Sequence, residues 1–489
     1  MKRFFFAVLS AVFLCSFLAG CSSGETSVRR PDFVSTDAWA KMPESRTITA
    51  PLNFLSADGN HLMTEVRAVE VLPGESDEKA VIRALISGPT DTRTMSRVLS
   101  TSIELVSVEK SGRVLNIELS ANYSYYSELE MLKIRAALAN TLTSLFDIDY
   151  INVYVDGMDP GYLGMPLGAF RPTTLDLSLL CDQIIQEQKR ITDDDTYDER
   201  RVITFYVPDP DGKFLIADPE EHAIETVSSG ETVERNYLRT VIFGLMTGPR
   251  AELFGGFNLV VEPLIVLDEN NRRTALVILK ERPENEILAY GSLVYTITGF
   301  VCNVSSVTIA VGSDNAAGYE PITDVEGLGR FENGVFTRKD FAGLIGDYVT
   351  LYAPHESAYS LIRYTVAVPQ AERSDPEKLL RELFGARSLP DGAISPLPEG
   401  VGEEDVLSIK LCGSVAVVNL SGNFLARCAE LDQREEYLLV YSMVNTLTEI
   451  AEITSVQFTF DGFTRQKLNR IDVSGPLYRN FGLIEKTGD

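Results

Sequence analysis

The stretch Leu85-Ile86-Ser87-Gly88-Pro89 ends one helical pattern, and Leu245-Met246-Thr247-Gly248-Pro249 ends another 160 residues later. Glycine followed by proline is a typical helix stop, because glycine accepts a left-handed backbone and proline cannot continue the helix. A third pattern ends at Leu383-Phe384-Gly385 without the proline. Ser374 and Glu377 are predicted to form a capping box at its start. These strings indicate a unit that occurs three times along the chain.

A second helix in each unit repeats the same apolar register. Four residues follow helical spacing in the first unit, and shifts of 155 and 305 residues find apolar residues at all four positions in the others. The sets are Ile134, Leu138, Leu142 and Leu145; Ala289, Leu293, Ile297 and Phe300; and Leu439, Met443, Leu447 and Ile450. The same shifts superpose Thr141, Thr296 and Thr446. We expect these hydroxyls to bond a carbonyl one turn back, in a structural role.

Strand patterns complete the unit. The first strands are expected at 48–55, 202–207 and 349–353, and the second at 63–71, at 215–217 with 223–227, and at 360–368. Alternating or apolar runs follow each first helix at 114–119, 274–279 and 415–420, and each second helix at 151–155, 307–311 and 456–460. This order predicts an α+β fold of three tandem domains, each with helices packed on a small sheet.

The predicted domains span residues 48–175, 202–340 and 349–485. An intervening linker, 176–201, contains an amphipathic stretch at 177–191 and an acidic run at 193–195. The first and third domains end in Asp156-Gly157 and Asp461-Gly462, a pairing typical of turns that need a positive φ. A catalytic role for these acids is weak, because the middle domain has Gly312-Ser313 there.

The amino terminus has the layout of an export signal. Lys2 and Arg3 precede an apolar run from Phe4 to Leu18, and Leu18-Ala19-Gly20-Cys21 follows. The run is too short to span a bilayer comfortably as a transmembrane helix. The pattern resembles a bacterial lipobox, which implies a signal peptide at 1–20 and fatty acyl chains such as palmitate on Cys21. A tether at 21–47 would follow, on a protein anchored at the extracytoplasmic face of the cell membrane.

Composition argues against polyanionic partners. The chain has 489 residues, 70 acidic and 44 basic, with a formal net charge of -26. Such a surface repels nucleic acid, so we expect no nucleic-acid partner.

The recurring strings resemble those of the GerMN domain. They are LISGP (85–89) or LMTGP (245–249), LSANY (119–123) or LSGNF (420–424), TLTSL (141–145) or TLTEI (446–450), and VYVDG (153–157) or FTFDG (458–462). The middle domain diverges most and lacks the second and last strings. The resemblance implies a non-catalytic envelope lipoprotein of spore-forming Gram-positive bacteria. It also implies domains similar to ring-building motifs, which assemble in the channel-like complex between mother cell and forespore.

Residues that could act in catalysis or metal binding are few and scattered along the chain. The three histidines, His61, His222 and His355, each fall near the start of a different domain, so packed or surface histidines are the simplest reading. Ser76 and Lys79 fit the SxxK pattern of penicillin-recognising enzymes, but Ser76 precedes a helix, where serine is an ordinary N-cap. The acidic runs 193–195 and 403–405 do not follow a calcium-loop spacing.

The cysteines match no metal template, because no CxxC is present. Cys181, Cys302, Cys412 and Cys428 remain after Cys21, and both a Cys412–Cys428 disulfide and free thiols stay open, with free thiols favoured. We predict no catalytic, cofactor or metal residues and no enzyme activity.

The leading hypothesis is a lipid-anchored binding or assembly protein acting in sporulation or germination. Its partners would be envelope or sporulation-complex proteins, or further copies of itself. A peptidoglycan hydrolase or accessory factor is the alternative, and a sensor lipoprotein is a third hypothesis.

Replacing Cys21 tests the predicted anchor. Because acylation of this thiol is the expected attachment, Cys21→Ala should release the protein from the membrane fraction and block signal processing. Fractionation and precursor size on a gel are the measurements. Unchanged fractionation and processing would refute the lipobox.

Overall fold

The computed structural model describes residues 45–161, 166–174, 176–183, 186, 200–224, 233–268, 272–312, 318–357, 359–385 and 389–485. The signal peptide, most of the tether and Cys21 therefore lie outside the described residues. We refer to the predicted domains as unit I (48–175), unit II (202–340) and unit III (349–485). Along the described part of the chain, none of the helices has both the length and the apolar character to cross a membrane.

Unit I has a first hairpin, two helices and a three-stranded sheet. Its elements are β1 (Arg46–Ser56), β2 (Leu62–Val71), α1 (Asp77–Ser87), β3 (Met95–Ser96), β4 (Leu105–Ser111), β5 (Val114–Leu119), α2 (Glu128–Leu142) and β6 (Tyr150–Tyr154). Strand β5 pairs with β4 antiparallel and with β6 parallel. Helix α2 is the crossover between the two parallel strands, a connection that parallel pairing requires.

Unit II repeats this order and adds strands at its end. Its elements are β7 (Arg200–Pro208), β8 (Leu215–Ala223), α3 (Val233–Met246), β9 (Leu264–Leu267), β10 (Arg273–Leu279), α4 (Glu286–Phe300), β11 (Ser306–Gly312), β12 (Tyr319–Pro321), β13 (Asp324–Val325), β14 (Gly329–Arg330) and β15 (Val335–Phe336). Strands β10 and β11 form the parallel pair, and β9 flanks β10.

Unit III follows the same plan. Its elements are β16 (Gly346–Pro354), β17 (Leu361–Pro369), α5 (Pro376–Gly385), β18 (Val406–Cys412), β19 (Val415–Leu420), α6 (Gly422–Cys428), α7 (Gln433–Leu447), β20 (Ser455–Phe460) and β21 (Leu477–Tyr478). Its sheet has the order β18-β19-β20-β21, with β19 and β20 parallel. The α+β prediction is confirmed, and each unit has its own large apolar core.

The predicted turns and caps are confirmed with one exception. Asp156 and Asp461 adopt φ of 51° and 49°, as the Asp-Gly turn chemistry predicts. Ser76 caps α1 by accepting from the Lys79 amide. The predicted Ser374–Glu377 capping box is wrong, because the Asp375 carboxylate accepts from the first amides of α5. Serine and aspartate can both cap a helix, and Asp375, which is one position closer to α5 than Ser374, is the residue that caps it.

Two strand and linker predictions need correction or extension. The second strand of unit II runs unbroken over β8 and ends at Ala223, whereas a break after 217 was predicted. Part of the amphipathic linker, residues 177–183, is helical, and the Leu177 amide donates to the Asn60 carbonyl of unit I. The acidic run 193–195 lies outside the described residues.

The three superposed threonines share a structural role, but their bonding partner differs from the predicted carbonyl. Thr141 Oγ1 accepts from the Asn53 amide at 3.0 Å, and Thr296 Oγ1 accepts from the Tyr206 amide at 3.2 Å. Thr446 Oγ1 accepts from the Tyr352 amide, also at 3.2 Å. These amides lie in β1, β7 and β16, and all three threonines are fully buried. A buried strand amide needs an acceptor, and the crossover helix supplies it.

Replacing Thr446 tests this bond. Thr446→Val keeps the shape but leaves the buried Tyr352 amide without its acceptor, so we expect unit III to lose about 1–3 kcal/mol of stability. Thr446→Ser keeps the hydroxyl and is the matched control. Hydrogen exchange at the Tyr352 amide should accelerate in the valine variant and change less in the serine variant. Equal exchange in both variants would contradict the assigned bond.

Candidate functional site

The three histidines considered as candidate catalytic or metal-ligating residues do not lie together in the structure. His61 Nδ1 lies 2.8 Å from Asp176, His222 Nε2 lies 3.3 Å from Glu220, and His355 Nδ1 lies 2.8 Å from the Ser357 hydroxyl. Each histidine therefore has a local partner in a different unit or linker. Over the described residues, no group of three or more potential ligands could hold a metal ion.

The acidic segment 403–405 is structural. Asp405 is nearly buried, and its carboxylate accepts from Ser421 Oγ and Asn423 Nδ2. Burial raises the pKa of this carboxyl, but the hydrogen bonds lower it by more, so the net pKa is lowered. The serine and asparagine belong to the LSGNF string, whose function here is to fix the start of α6.

The cysteines with described positions are free thiols, and three of them are deeply buried. Cys181, Cys302, Cys412 and Cys428 are all free, so the Cys412–Cys428 disulfide is not formed. Burial raises the pKa of Cys428 to about 12 and also raises the pKa of Cys181 and Cys302. A nucleophilic cysteine needs a lowered pKa, so these three thiols are poor nucleophiles.

The most elaborate polar site is the junction where the three units meet. Ser111, at the end of β4, is 0% exposed. Its hydroxyl donates to the Gly346 carbonyl of β16 at 2.8 Å and accepts from the Ala217 amide of β8 at 3.0 Å. One serine side chain thus bonds the backbones of two other units.

Asp347 lies beside this serine and carries the charge of the junction. It is 1% exposed, and its carboxylate accepts from Lys110 Nζ at 3.2 Å and from the Gly112 amide at 3.1 Å. Arg373 reaches the same carboxylate at 3.4 Å and bonds Glu78 of unit I at 2.8 Å. This cluster of two acids and two bases ties unit III to unit I.

The two acids have opposite pKa shifts. Burial raises the pKa of Asp347, and the charges of Lys110 and Arg373 offset only part of that effect. Burial also raises the pKa of Glu78, but the Arg373 charge and hydrogen bond together lower it by a larger amount, so the pKa of Glu78 is lowered overall. Because a lowered folded pKa adds stability above the unfolded value, the Glu78 contribution is lost as pH falls through the folded pKa.

A cavity of about 280 Å³ lies next to this cluster, between units I and III. Several of its acids are already bound to bases or phenols. Arg46 pairs with Asp77, and Arg479 and the Tyr352 hydroxyl both bond Glu449. These acids therefore stabilise the fold and are not free to act as a general acid and base.

A buried polar network joins units I and II. Asn116 Nδ2 donates to the Tyr206 hydroxyl at 2.9 Å, and Asn152 Nδ2 donates to Asn116 Oδ1 at 3.0 Å and to Thr204 Oγ1 at 3.2 Å. Asn116 and Asn152 lie on the outer face of the unit I sheet. Thr204 and Tyr206 lie on β7, so the first hairpin of unit II covers that face.

Arg338 of unit II closes the same interface. Its guanidinium carbon lies 4.3 Å from the ring centroid of Tyr154 in unit I and 4.8 Å from that of Tyr295 in unit II. The side chain also donates to Thr298 Oγ1 at 2.9 Å and to the Tyr295 carbonyl at 3.0 Å. Such cation–π contacts add to the attraction between the units.

Sequence reasoning missed this junction. Its members come from distant parts of the chain, and Lys110 and Asp347 are 237 residues apart. For the neighbouring interface between units I and II, the sequence did contain a signal. Asn116 and Asn152 lie at positions of β5 and β6 that face away from the core of unit I.

The described residues define a tandem α+β module protein whose most developed polar site is an interface. Residues 51–160 and 350–466 match the family described as "Germane: Sporulation and spore germination". The outer two units thus match the model of this sporulation and spore germination family, and the GerMN resemblance is confirmed there. The matches do not include unit II, so the number of three family domains stays a prediction.

Solved structures give low-identity matches. The tandem GerMN domains of the sporulation protein GerM from Bacillus subtilis are 18% identical, covering 58% of this chain and 98% of that one, with a TM-score of 0.22. The first GerMN domain of the same protein is 20% identical, covering 28% and 98%, with a TM-score of 0.23. A putative lipoprotein from Clostridium perfringens is 18% identical, covering 27% and 87%, with a TM-score of 0.20. No curated protein matches this chain.

Asp347→Asn tests the junction. It removes the charge that pairs with Lys110 and Arg373, and breaking a buried pair typically costs about 3–5 kcal/mol. Amide exchange in β16 and at Gly112 should accelerate. Asp149→Asn, which breaks the exposed pair with Arg113, is the control and should cost about 0–1 kcal/mol. Indistinguishable exchange in the two variants would contradict the role of Asp347.

Proposed function

We propose that this protein is an extracytoplasmic lipoprotein, anchored through Cys21, that binds and assembles other proteins during sporulation or germination. The observation that carries the proposal is the match of both outer units to the sporulation and spore germination family. The lipobox supplies the membrane anchor, and its tether places the modules away from the lipid surface.

Surface aromatic residues support a binding role. Tyr359 and Phe481 of unit III are 73% and 74% exposed. Arg434 stacks on the Tyr359 ring at 3.1 Å from its centroid, and Arg479 lies 5.2 Å from that of Phe481. Aromatic and arginine side chains are enriched in protein interfaces, and prior stacking lowers the entropy lost on binding.

The alternative is a peptidoglycan hydrolase or accessory factor. Hydrolysis of a glycosidic bond needs two carboxyl groups free to act as acid and as base or nucleophile. In the cavity between units I and III, Asp77, Glu78 and Asp347 each bond to an arginine or lysine. This arrangement favours a structural role for these acids, and with it the binding function.

Crosslinking and capture from the protein's own host test the proposal. The lipidated protein, sampled through growth and sporulation, should enrich identified envelope-assembly or sporulation-complex proteins, and Cys21→Ala should lose them. In parallel, purified protein incubated with isolated peptidoglycan should release no fragments. Capture of cell-wall fragments alone, or fragment release, would favour the hydrolase.

A further inference from the structure

Units I and II share an apolar core. Val114 of β5 is 0% exposed and belongs to the large core of unit II, and Tyr150 and Leu167 of unit I pack against the same core. The Ala169 amide of unit I also donates to the Val202 carbonyl of β7 at 3.0 Å. Together with the buried asparagine network, these contacts bury apolar and backbone groups of both units. We therefore expect units I and II to move as one body.

The apolar clusters of unit III stay within that unit. Among the described residues, its main core and its smaller cluster consist of side chains between Val349 and Ile484. The lining of the 280 Å³ cavity includes Phe146 of unit I and Leu379 and Ile450 of unit III. These side chains belong to the separate cores of their own units. A space, and not a shared core, therefore lies beside the ion pairs that join units I and III.

Polar contacts hold unit III against unit I. The Lys110–Asp347 and Arg373–Glu78 ion pairs cross the boundary, and the Gly112 amide donates to Asp347. The Lys110 and Arg373 side chains are 14% and 21% exposed, so water reaches both pairs and weakens them. Opening the boundary returns both partners of each pair to water, which costs less than deleting one partner. This boundary therefore opens more easily than the one between units I and II.

The chain crosses from unit II to unit III at Ile345 and Gly346. Ile345 is 3% exposed and belongs to the unit II core. Gly346 begins β16, and a Cβ there would lie 2.7 Å from Phe214 Cβ of unit II. The Gln370 amide, just after β17, donates to the Ile345 carbonyl at 2.9 Å. Both ends of the β16–β17 hairpin thus meet unit II at one point, and hinges use such positions at the ends of elements.

We propose that unit III is a hinged arm that rotates about Ile345–Gly346 on a rigid body formed by units I and II. The ion pairs of Asp347 and Arg373 with unit I are the latch of this arm. Rotation widens the cavity and uncovers the latch charges. A partner that binds the uncovered groups shifts the equilibrium toward the open arm by as much as its affinities for the two states differ. The inference concerns motion within one chain and does not rest on the proposed function.

Amide hydrogen exchange in residues 22–489 tests the latch. The Gly112 amide reports on the boundary between units I and III, the Ala169 amide on that between units I and II, and the Tyr352 amide on the interior of unit III. In the unmodified protein the Gly112 amide should exchange fastest of the three, because its bond to Asp347 breaks whenever the arm opens. Arg373→Gln should accelerate exchange at Gly112 by about tenfold or more, since it removes a charge from the latch. Exchange at the other two amides should not change.

Arg381→Gln is the matched control. Arg381 also lies in unit III, and its guanidinium donates to the Glu377 carboxylate and to the carbonyls of Glu403 and Val406. These bonds stay within the unit and do not cross the boundary. Exchange at Gly112 in this variant should therefore match that of the unmodified protein.

Small-angle X-ray scattering measures the rotation itself. The radius of gyration and the maximum dimension should increase in Arg373→Gln, because the arm spends more time away from unit I. They should increase further when Lys110→Gln is added, and they should stay unchanged in Arg381→Gln. Circular dichroism identifies the variants that are folded.

Three results would overturn the proposal. Equal acceleration at Gly112 and Ala169 in Arg373→Gln would show that the three units separate together. Equal acceleration at Gly112 and Tyr352 would show that unit III unfolds and does not rotate. Unchanged Gly112 exchange with unchanged scattering dimensions would show that the pairs are not a latch. If Arg373→Gln fails to fold, the comparison of the three amides in the unmodified protein decides, and exchange at Gly112 as slow as at Ala169 contradicts the hinge.

Discussion

The hydrogen bond from a buried strand amide to a helix threonine holds each unit together. The first hairpin of every unit forms a sheet of its own, separate from the sheet with the parallel pair. Packing and this bond connect the two sheets through the crossover helix, and in unit II Ser292 Oγ also donates to the Tyr206 carbonyl. Thr141, Thr296 and Thr446 occupy the same register, so one residue per unit satisfies an amide that would otherwise be orphaned and also fixes the hairpin on the helix.

Apart from the strands that unit II adds at its end, the units differ in the outer faces of their sheets. Unit I presents Asn116 and Asn152, which bond the next unit, whereas unit II presents Leu276 and Ile278. In unit III, Gln457 takes the position of Asn152, and its side chain donates to the Val473 carbonyl of the same unit. The alternation of a strand lets these faces diverge without disturbing the core, since successive residues point to opposite sides.

Local order was predictable because it follows from short-range periodicity. Helix register, the Asp-Gly turns and the α+β order depend on residues a few positions apart, and the apolar repeat indicated the helix register in all three units. The choice of Asp375 over Ser374 as cap could not be predicted, because both side chains can accept the same amides. The junction at Ser111 and Asp347 could not be predicted either, since its partners meet only after three units have folded and packed.

The divergence of the middle unit has a physical reason in its interface with unit I. Its hairpin residues Thr204 and Tyr206 must fit the asparagines of unit I, and its Ala217 amide must meet Ser111. Arg338 fits between the rings of Tyr154 and Tyr295, which links the end of unit II to the last strand of unit I. The sequence of unit II is therefore constrained by its contacts with unit I as well as by its own core. Its fold therefore keeps the helix register and the threonine bond. The LSxN string, which in unit III fixes the start of α6, and the Asp-Gly string, which forms the end turn, are free to change.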